Sequence, residues 1–342
     1  MAIPVLAAAG SLQPSYAAAS LPRSSLLLMG TRVDIVVDPA GLLPAQKVND
    51  AIAAAQHSMQ QLAAMMNRYD RRSIVSRINA ASGLQPVRVP NELMAVLRTA
   101  QALTVFTGGA FDATVGALAG WHFDGSTGQP PSSDVIRQQR AHVHAEGLTL
   151  DTTAGTAFLR EPGMAIDLGG VAKLPILEAG LDVLRSHGIA NALINGGGDV
   201  LVMGLLQGRA WRIGLRDPLH PEQLLGTVNL EHGGIVASSG DYERGYWYEG
   251  RRMHHVLDPR TGYPTMGVHG VAMVAARVAD VNGLGAAAMV KGLAAAQAMF
   301  ERRPAVHALA VGSDAVWSTP ALRNMGARAA RFRMQSGQLV IV

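Results

Sequence analysis

Ala192-Leu193-Ile194-Asn195-Gly196-Gly197-Gly198-Asp199-Val200-Leu201-Val202 is the stretch on which the fold turns. A glycine cluster after an apolar run invites a dinucleotide-binding reading, in which a strand passes through G-x-G-x-x-G into a helix. Here the apolar residues resume directly after Asp199, so the glycines join one strand to another. That weakens a doubly wound Rossmann architecture and favours a hairpin. Working outward, Val33, Ile35 and Val37 alternate within Thr31 to Asp38, as in a half-buried strand. Val48, Ile52, Ala55, Met59, Leu62 and Met66 recur at spacings of four and three, which predicts an amphipathic helix. A second helix is predicted over Glu92 to Phe106 with Asn91 as its N-cap. A third follows Pro175, with Leu177, Leu181 and Leu184 inward and Gly188 as its C-cap. Gly125 to Asp134 is rich in Gly, Pro and Ser and predicts a surface loop.

Further strands are expected at Trp211 to Leu215, Gly226 to Leu230 and Val271 to Ala276. Asp280 to Phe300 reads as a helix broken near Gly292, and short strands are expected at His307 to Val311 and Leu339 to Val342. Strands and helices alternate irregularly, with hairpin-like pairs, so an α+β fold fits best.

The chain has 342 residues, 49% of them hydrophobic and 16% charged. That is a globular composition, long enough for a sizeable core. The formal net charge is +4, but the basic residues occur only as scattered pairs: Arg71-Arg72, Arg251-Arg252 and Arg302-Arg303. A nucleic-acid surface needs a concentrated stripe, so no nucleic-acid partner is expected. There is no cysteine, which excludes disulfides, thiolate nucleophiles and Cys-ligated metals. No apolar run is long enough to span a bilayer. Residues 1–25 are small, apolar and leader-like, with Ala17-Ala18-Ala19 resembling a signal-peptidase site, although a basic n-region is missing. The expectation is export to the periplasm or cell envelope, with the ordered unit running over residues 26–342.

Four stretches are denser in Gly, Asp and His than folding requires. They are Gly108-Gly109-Ala110-Phe111-Asp112-Ala113-Thr114-Val115-Gly116, Asp167-Leu168-Gly169-Gly170-Val171-Ala172-Lys173, Asn195 to Asp199, and Ser238 to Arg244 with His254-His255-Val256-Leu257-Asp258-Pro259-Arg260-Thr261-Gly262. Glycines let a ligand approach the backbone, whose N–H groups can hold phosphate oxygens. Nearby carboxylates suit a hard divalent cation, and a histidine among them can act as a general base near neutral pH. Together they suit phosphoryl transfer from a nucleotide. Singly, each has a plainer reading: Asp258 to Gly262 as a turn, Asn195 to Asp199 as a hairpin, His254-His255 as packing.

In this order the motifs resemble the ApbE family of FAD:protein FMN transferases, from Met29-Gly30-Thr31 to about Gly292 and including Tyr69 with Ser73, Ser76 and Asn79. The resemblance implies an α+β flavin-binding fold of mixed or antiparallel sheets with packed helices, which uses FAD with Mg2+. It further implies an acceptor flavoprotein or FMN-binding domain with an exposed Thr or Ser, with a membrane-associated target among the acceptors it allows. By position, Met29, Tyr69, Ala110, Phe111, Asp112, Asp167, Lys173 and Val256 match flavin-nucleotide contacts. The Gly170 carbonyl and the Asp280 carboxylate match metal ligands, and His255 matches the base, with Asp258, Asp241 and Glu243 as rivals. Two departures stand out. Leu174-Pro175 follows Ala172-Lys173 where the family has Gly-Tyr, and Leu284 stands four residues after Asp280 where the family has Thr. On one helix Asp280 and Leu284 would share a face. The alternatives to a transferase are an FAD pyrophosphatase on the same scaffold and a non-catalytic protein that delivers or buffers FAD.

Overall fold

In the computed structural model, residues 21–41, 43–123, 128–323 and 330–341 are described. Residues 1–20 of the leader-like segment, and part of the expected loop at 125–134, lie outside them. Among the described residues an eleven-stranded sheet forms the centre. Its spine runs, in spatial order, through Arg23–Leu28, Thr31–Asp38, Asn191–Gly196, Asp199–Gly204, Leu224–Gly240, Val268–Ala275, His307–Gly312 and Val316–Ser318. Neighbours on this spine are antiparallel, so the expected α+β class holds. Asn191–Gly196 and Asp199–Gly204 are joined at Gly197-Gly198, with Gly196 opposite Asp199. Both glycines have positive φ, 61° and 92°. This is the tight turn whose twist matches the flanking strands, and it needs residues free of a Cβ penalty. Met29-Gly30 makes a similar turn, with φ 54° and 71°.

The strand Leu224–Gly240 is longer than the expected Gly226 to Leu230. It bends at His232, Gly233 and Gly234, where φ is 64°, 147° and 137°. Its first half pairs with Trp211–Arg216 and, in parallel, with Ala330–Gln335. Its second half pairs with Asp199–Gly204 and Val268–Ala275. One strand thus belongs to two packed layers.

The sheet is covered on both faces. On one side Val33, Ile35, Ile194, Leu201 and Met273 meet the helices. On the other, Val200, Val202, Val274 and Val311 meet Trp211, Val228, Leu230 and Phe332. The helix Ala45–Met66 buries Val48, Ala51, Ile52, Ala55, Met59, Ala63 and Met66, the stripe expected from its spacing. Each large apolar side chain among them contributes about 1.5–3 kcal/mol on burial. The helix Lys173–Ser186 crosses it closely, because a Cβ on Gly180 would stand 2.7 Å from Met59 Sδ.

Several boundaries differ from expectation. The helix Asn91–Thr107 contains Asn91, and its N-cap is Pro90, with no side-chain capping bond. The helix expected after Pro175 begins at Lys173. Pro175 falls in its first turn, where backbone N–H groups have no intrahelical partner to lose. Asp134 lies in the helix Ser133–Arg140, capped by Ser132. The largest correction concerns Asp280. The expected helix breaks after Val278–Val281, because Gly283 takes φ 73° and a new helix, Leu284–Lys291, starts. Asp280 and Leu284 therefore do not sit one turn apart on a continuous helix.

Candidate functional site

The antiparallel register brings the chemistry to one end of the sheet. The Met29-Gly30 turn, the Gly197-Gly198 turn, the end of Leu224–Gly240 and the start of Val268–Ala275 all lie there. A Cβ on Gly197 would meet Thr31 Oγ1 at 2.5 Å, and one on Gly198 would meet Ser238 Oγ at 2.9 Å. The turns are thus packed against each other and against the next strand. Lys173, the first residue of its helix, places Nζ 2.8 Å from Asp199 Oδ2. Asp199 Oδ1 accepts from the Ser238 backbone N–H at 2.8 Å. The Asp199 side chain is 5% exposed and that of Lys173 is 29% exposed. One cation is thus held by a buried anion, with its outer side toward solvent.

The segments 108–116 and 167–173 are stitched together beside this pair. Asp167 N donates to Ala113 O at 2.8 Å, and Asp167 Oδ1 accepts from Gly169 N at 2.7 Å. Arg68 donates to Asp167 Oδ2 at 2.8 Å and to Gly116 O at 2.9 Å. The Tyr69 ring lies 5.5 Å from the Arg68 guanidinium and is 81% exposed, on the rim. Gly170 packs against Phe111, whose Cε2 would stand 2.9 Å from a Cβ there. Ala110, Phe111 and Asp112 are buried. Asp112 accepts from Thr114 N at 2.8 Å and Thr114 Oγ1 at 2.7 Å. Burial pushes its carboxyl above the usual range, and the Thr114 hydrogen bonds only partly oppose this. Arg68 and Thr114, which sequence reading did not single out, hold these two segments. Arg68 adjoins Tyr69 in sequence, and that adjacency was the available signal.

The last segment leaves the sheet as a hairpin, Gly245–Tyr248 with Arg251–His254, and carries His255 at its foot. His254 is 2% exposed. Its Nε2 lies 2.8 Å from Thr265 O, and Val256 N donates to its Nδ1. A carbonyl can only accept, so His254 is the neutral Nε2–H tautomer. Burial keeps it neutral by lowering its pKa. Its role is structural, and it holds the buried Val256 in place.

His255 differs. It is half-buried, its N–H donates to Arg244 O at 3.2 Å, and Nδ1 lies 3.3 Å from the same carbonyl. That bond requires a proton on Nδ1 and leaves Nε2 as the nitrogen with the lone pair. Among the described residues Nε2 has no hydrogen-bond partner. Burial, reinforced by the charges of Arg244 and Lys173 and only partly opposed by the bond to the Arg244 carbonyl, pushes its pKa down to about 4. The imidazole is therefore neutral at neutral pH, and Lys173 shares its surroundings.

The rival bases are occupied. Asp258 is held by Arg260 through Nε at 3.1 Å and Nη2 at 2.8 Å, inside a turn that Trp121 Nε1 secures through Gly262 O at 2.8 Å. Asp241 Oδ2 lies 2.8 Å from His269 Nδ1. Glu243 faces Arg216 at 3.4 Å on the surface.

Asp280 does not present a free carboxylate. Arg277 engages both of its oxygens, Nε to Oδ2 at 2.9 Å and Nη2 to Oδ1 at 2.7 Å. The side chain that reaches the 170–171 turn is that of Asn282, with Nδ2 donating to Val171 O at 2.8 Å. Among the described residues no three His, Cys, Asp or Glu side chains converge as a metal-binding group. Mg2+ needs near-octahedral oxygen ligands, and the Gly170 carbonyl with an Arg-bound Asp280 does not fit a protein-held cation. A groove of about 310 Å³ between the helices borders this region at Asn282 and Pro175 but is lined by none of the residues that the resemblance matched to flavin contacts.

The chain is similar to known proteins in sequence and in fold. The sequence model of the ApbE family matches residues 29–310. The chain is 37% identical over 194 residues to an FAD:protein FMN transferase of Klebsiella pneumoniae (strain 342), a match spanning 56% of this chain and 60% of that relative. It is 29% identical over 289 residues to the FAD:protein FMN transferase of Treponema pallidum (strain Nichols), covering 79% of each. Its fold superposes on the crystal structure of the ApbE protein of Thermotoga maritima with a TM-score of 0.80, at 29% identity, over 90% of this chain and 100% of that one. The apo form of Pseudomonas stutzeri flavinyl transferase ApbE gives 0.77 at 24% identity, over 90% and 97%, a likeness of fold.

Proposed function

The chain belongs to the ApbE family, and from that premise we propose that it is an FAD:protein FMN transferase that moves FMN onto a Thr or Ser hydroxyl of an acceptor protein. The observation that carries the reading is the meeting of Lys173, the Gly197-Gly198 turn and a neutral His255 at one end of the sheet. The acceptor hydroxyl attacks the phosphorus on the riboflavin side of the FAD diphosphate. A new phosphoester bond forms, the diphosphate P–O bond breaks, and AMP leaves. The hydroxyl proton passes to His255 Nε2, which is unprotonated and unengaged. Lys173 supplies positive charge beside the diphosphate, and the glycine turns let the phosphates approach backbone N–H groups. Tyr69, Phe111 and Val256 frame the nucleotide.

Mg2+ is the finer part of the family expectation. A cation that enters with the nucleotide would take its ligands from the phosphates and water. No step above depends on it. The held Asp280 favours a second reading, a protein that binds FAD without turning it over.

Incubation with FAD and a candidate acceptor, read by acceptor mass and AMP release, tests the proposal. The transferase reading expects the acceptor to gain the mass of an FMN phosphoester with one AMP released per acceptor. FAD cleaved without acceptor would replace it by the pyrophosphatase reading, and FAD bound but intact by the delivery reading.

Export to the periplasm or cell envelope is part of the same proposal, as is residues 26–342 acting as a single unit. It is supported by the leader-like composition of residues 1–25, of which Arg23, Ser24 and Ser25 already belong to the first strand of the sheet. A membrane-associated acceptor would suit that location. Cell fractionation expects the native protein in the envelope fraction; a wholly cytoplasmic protein with an intact N-terminus would contradict it.

A further inference from the structure

We propose that the neutral amide of Asn282 fills the place against the Gly170–Val171 turn where a cation site would need a carboxylate, so that this chain binds the FAD diphosphate without a protein-held divalent cation. The second half of the inference rests on the FAD reading; the first does not.

Three features carry it. First, the carboxylate that the resemblance offers as a metal ligand is closed. Both oxygens of Asp280 are bound by Arg277, three residues earlier, and the Asp280 side chain is 10% exposed. Second, Gly283 breaks the helix directly after Asn282. The break lays residues 282–283 against the turn, and a Cβ on Gly283 would stand 3.6 Å from Gly170 O. Third, Asn282 is 6% exposed, and its Nδ2 donates to Val171 O at 2.8 Å. An amide N–H and a metal ion both satisfy carbonyl lone pairs, but they demand opposite partners. The N–H occupies the Val171 carbonyl and turns a donor, not a ligand oxygen, toward the turn. Charge neutralisation then falls to fixed cations of the chain, first Lys173.

Asn282→Asp reverses the logic. A carboxylate would face the Val171 carbonyl oxygen, an unfavourable pairing of two acceptors that a cation between them would relieve. The test is thermal unfolding of the full chain, without FAD, in chelator and in millimolar Mg2+ at matched ionic strength, for the wild type and for Asn282→Asp. The expected result is no Mg2+-specific stabilisation of the wild type. Asn282→Asp should melt lower in chelator and recover in Mg2+. A wild type stabilised by Mg2+ without FAD, with that gain lost in Asp280→Asn, overturns the proposal. So does an Asn282→Asp variant that folds yet ignores Mg2+.

A second arm measures FAD affinity of the wild type and stands even if Asn282→Asp fails to fold. Affinities in chelator and in Mg2+ should agree within about twofold, and a gain of about tenfold or more with Mg2+ contradicts the proposal. No FAD binding in either condition would sink the FAD reading and the second half together, while the unfolding arm still decides the first half.

Discussion

Lys173 Nζ and Asp199 Oδ2 stand 2.8 Å apart, joining the first turn of a helix to the strand that leaves the Gly197-Gly198 turn. The pair does two jobs. It compensates a carboxylate that is 5% exposed, and it fixes an ammonium at the end of the sheet beside His255.

Removing the cation separates these jobs. Lys173→Met leaves Asp199 buried with the Ser238 N–H as its remaining partner. The stability loss should be about 2 kcal/mol, below the full cost of breaking a buried pair because Lys173 is partly exposed. Adding Asp199→Asn should restore most of the stability but none of the FAD affinity. Denaturant melts and flavin-binding titrations of both variants check this. A double variant that binds FAD normally would remove Lys173 from the diphosphate site.

The turn beside the pair should be intolerant of a side chain. Gly197→Ala puts a Cβ 2.5 Å from Thr31 Oγ1 at φ 61°. The left-handed backbone alone costs about 1–2 kcal/mol for an L-residue, and the contact adds to it. Gly30→Ala, at φ 71° with nothing within 4 Å of its Cβ, should cost only the backbone part. Equal denaturation midpoints for the two variants would contradict this.

Stability should fall with acid in a defined window. His254 and His255 both have folded pKa values below the ordinary imidazole value of 6.5, His255 at about 4, chiefly through burial. Below pH 6.5 the unfolded chain takes up these protons before the folded one. Their stabilising contribution is therefore complete above about pH 6.5 and is lost as pH falls toward 4. If His255 is the base, the acid limb of kcat/KM should lie below pH 6.5 as well. Urea melts across this range and the pH profile of AMP release report the two effects separately. Stability rising between pH 6.5 and 4 would contradict the burial of these imidazoles.

The framework of the site was legible because it is local. The alternation in Thr31 to Asp38, the stripe of the first long helix and the Gly197-Gly198 turn follow from period and backbone freedom, and all three appear as read. His255 was singled out through its motif, and its role rests on the proposed function. What escaped was long-range. The strand Ala330–Gln335 offers one fully buried side chain, Phe332, and its parallel partner lies about a hundred residues earlier. Asn282 was invisible as the partner of Val171, because helical spacing was carried through Gly283, whereas the Arg277–Asp280 pair, three residues apart, was open to the sequence and was not drawn. A glycine within a helical pattern can equally be a left-handed break, and here packing against the Gly170 turn selects the break.

The rate of AMP release by His255→Asn, measured with saturating FAD and acceptor alongside FAD affinity, tests the central claim most directly. Asn cannot take up the hydroxyl proton, but it keeps a polar group near Arg244 O. The account predicts near-normal FAD affinity and a rate loss of about a hundred- to ten-thousand-fold. Near-normal turnover would contradict it, and a rate loss matched by lost FAD binding would make His255 an anchor of the segment that covers the flavin.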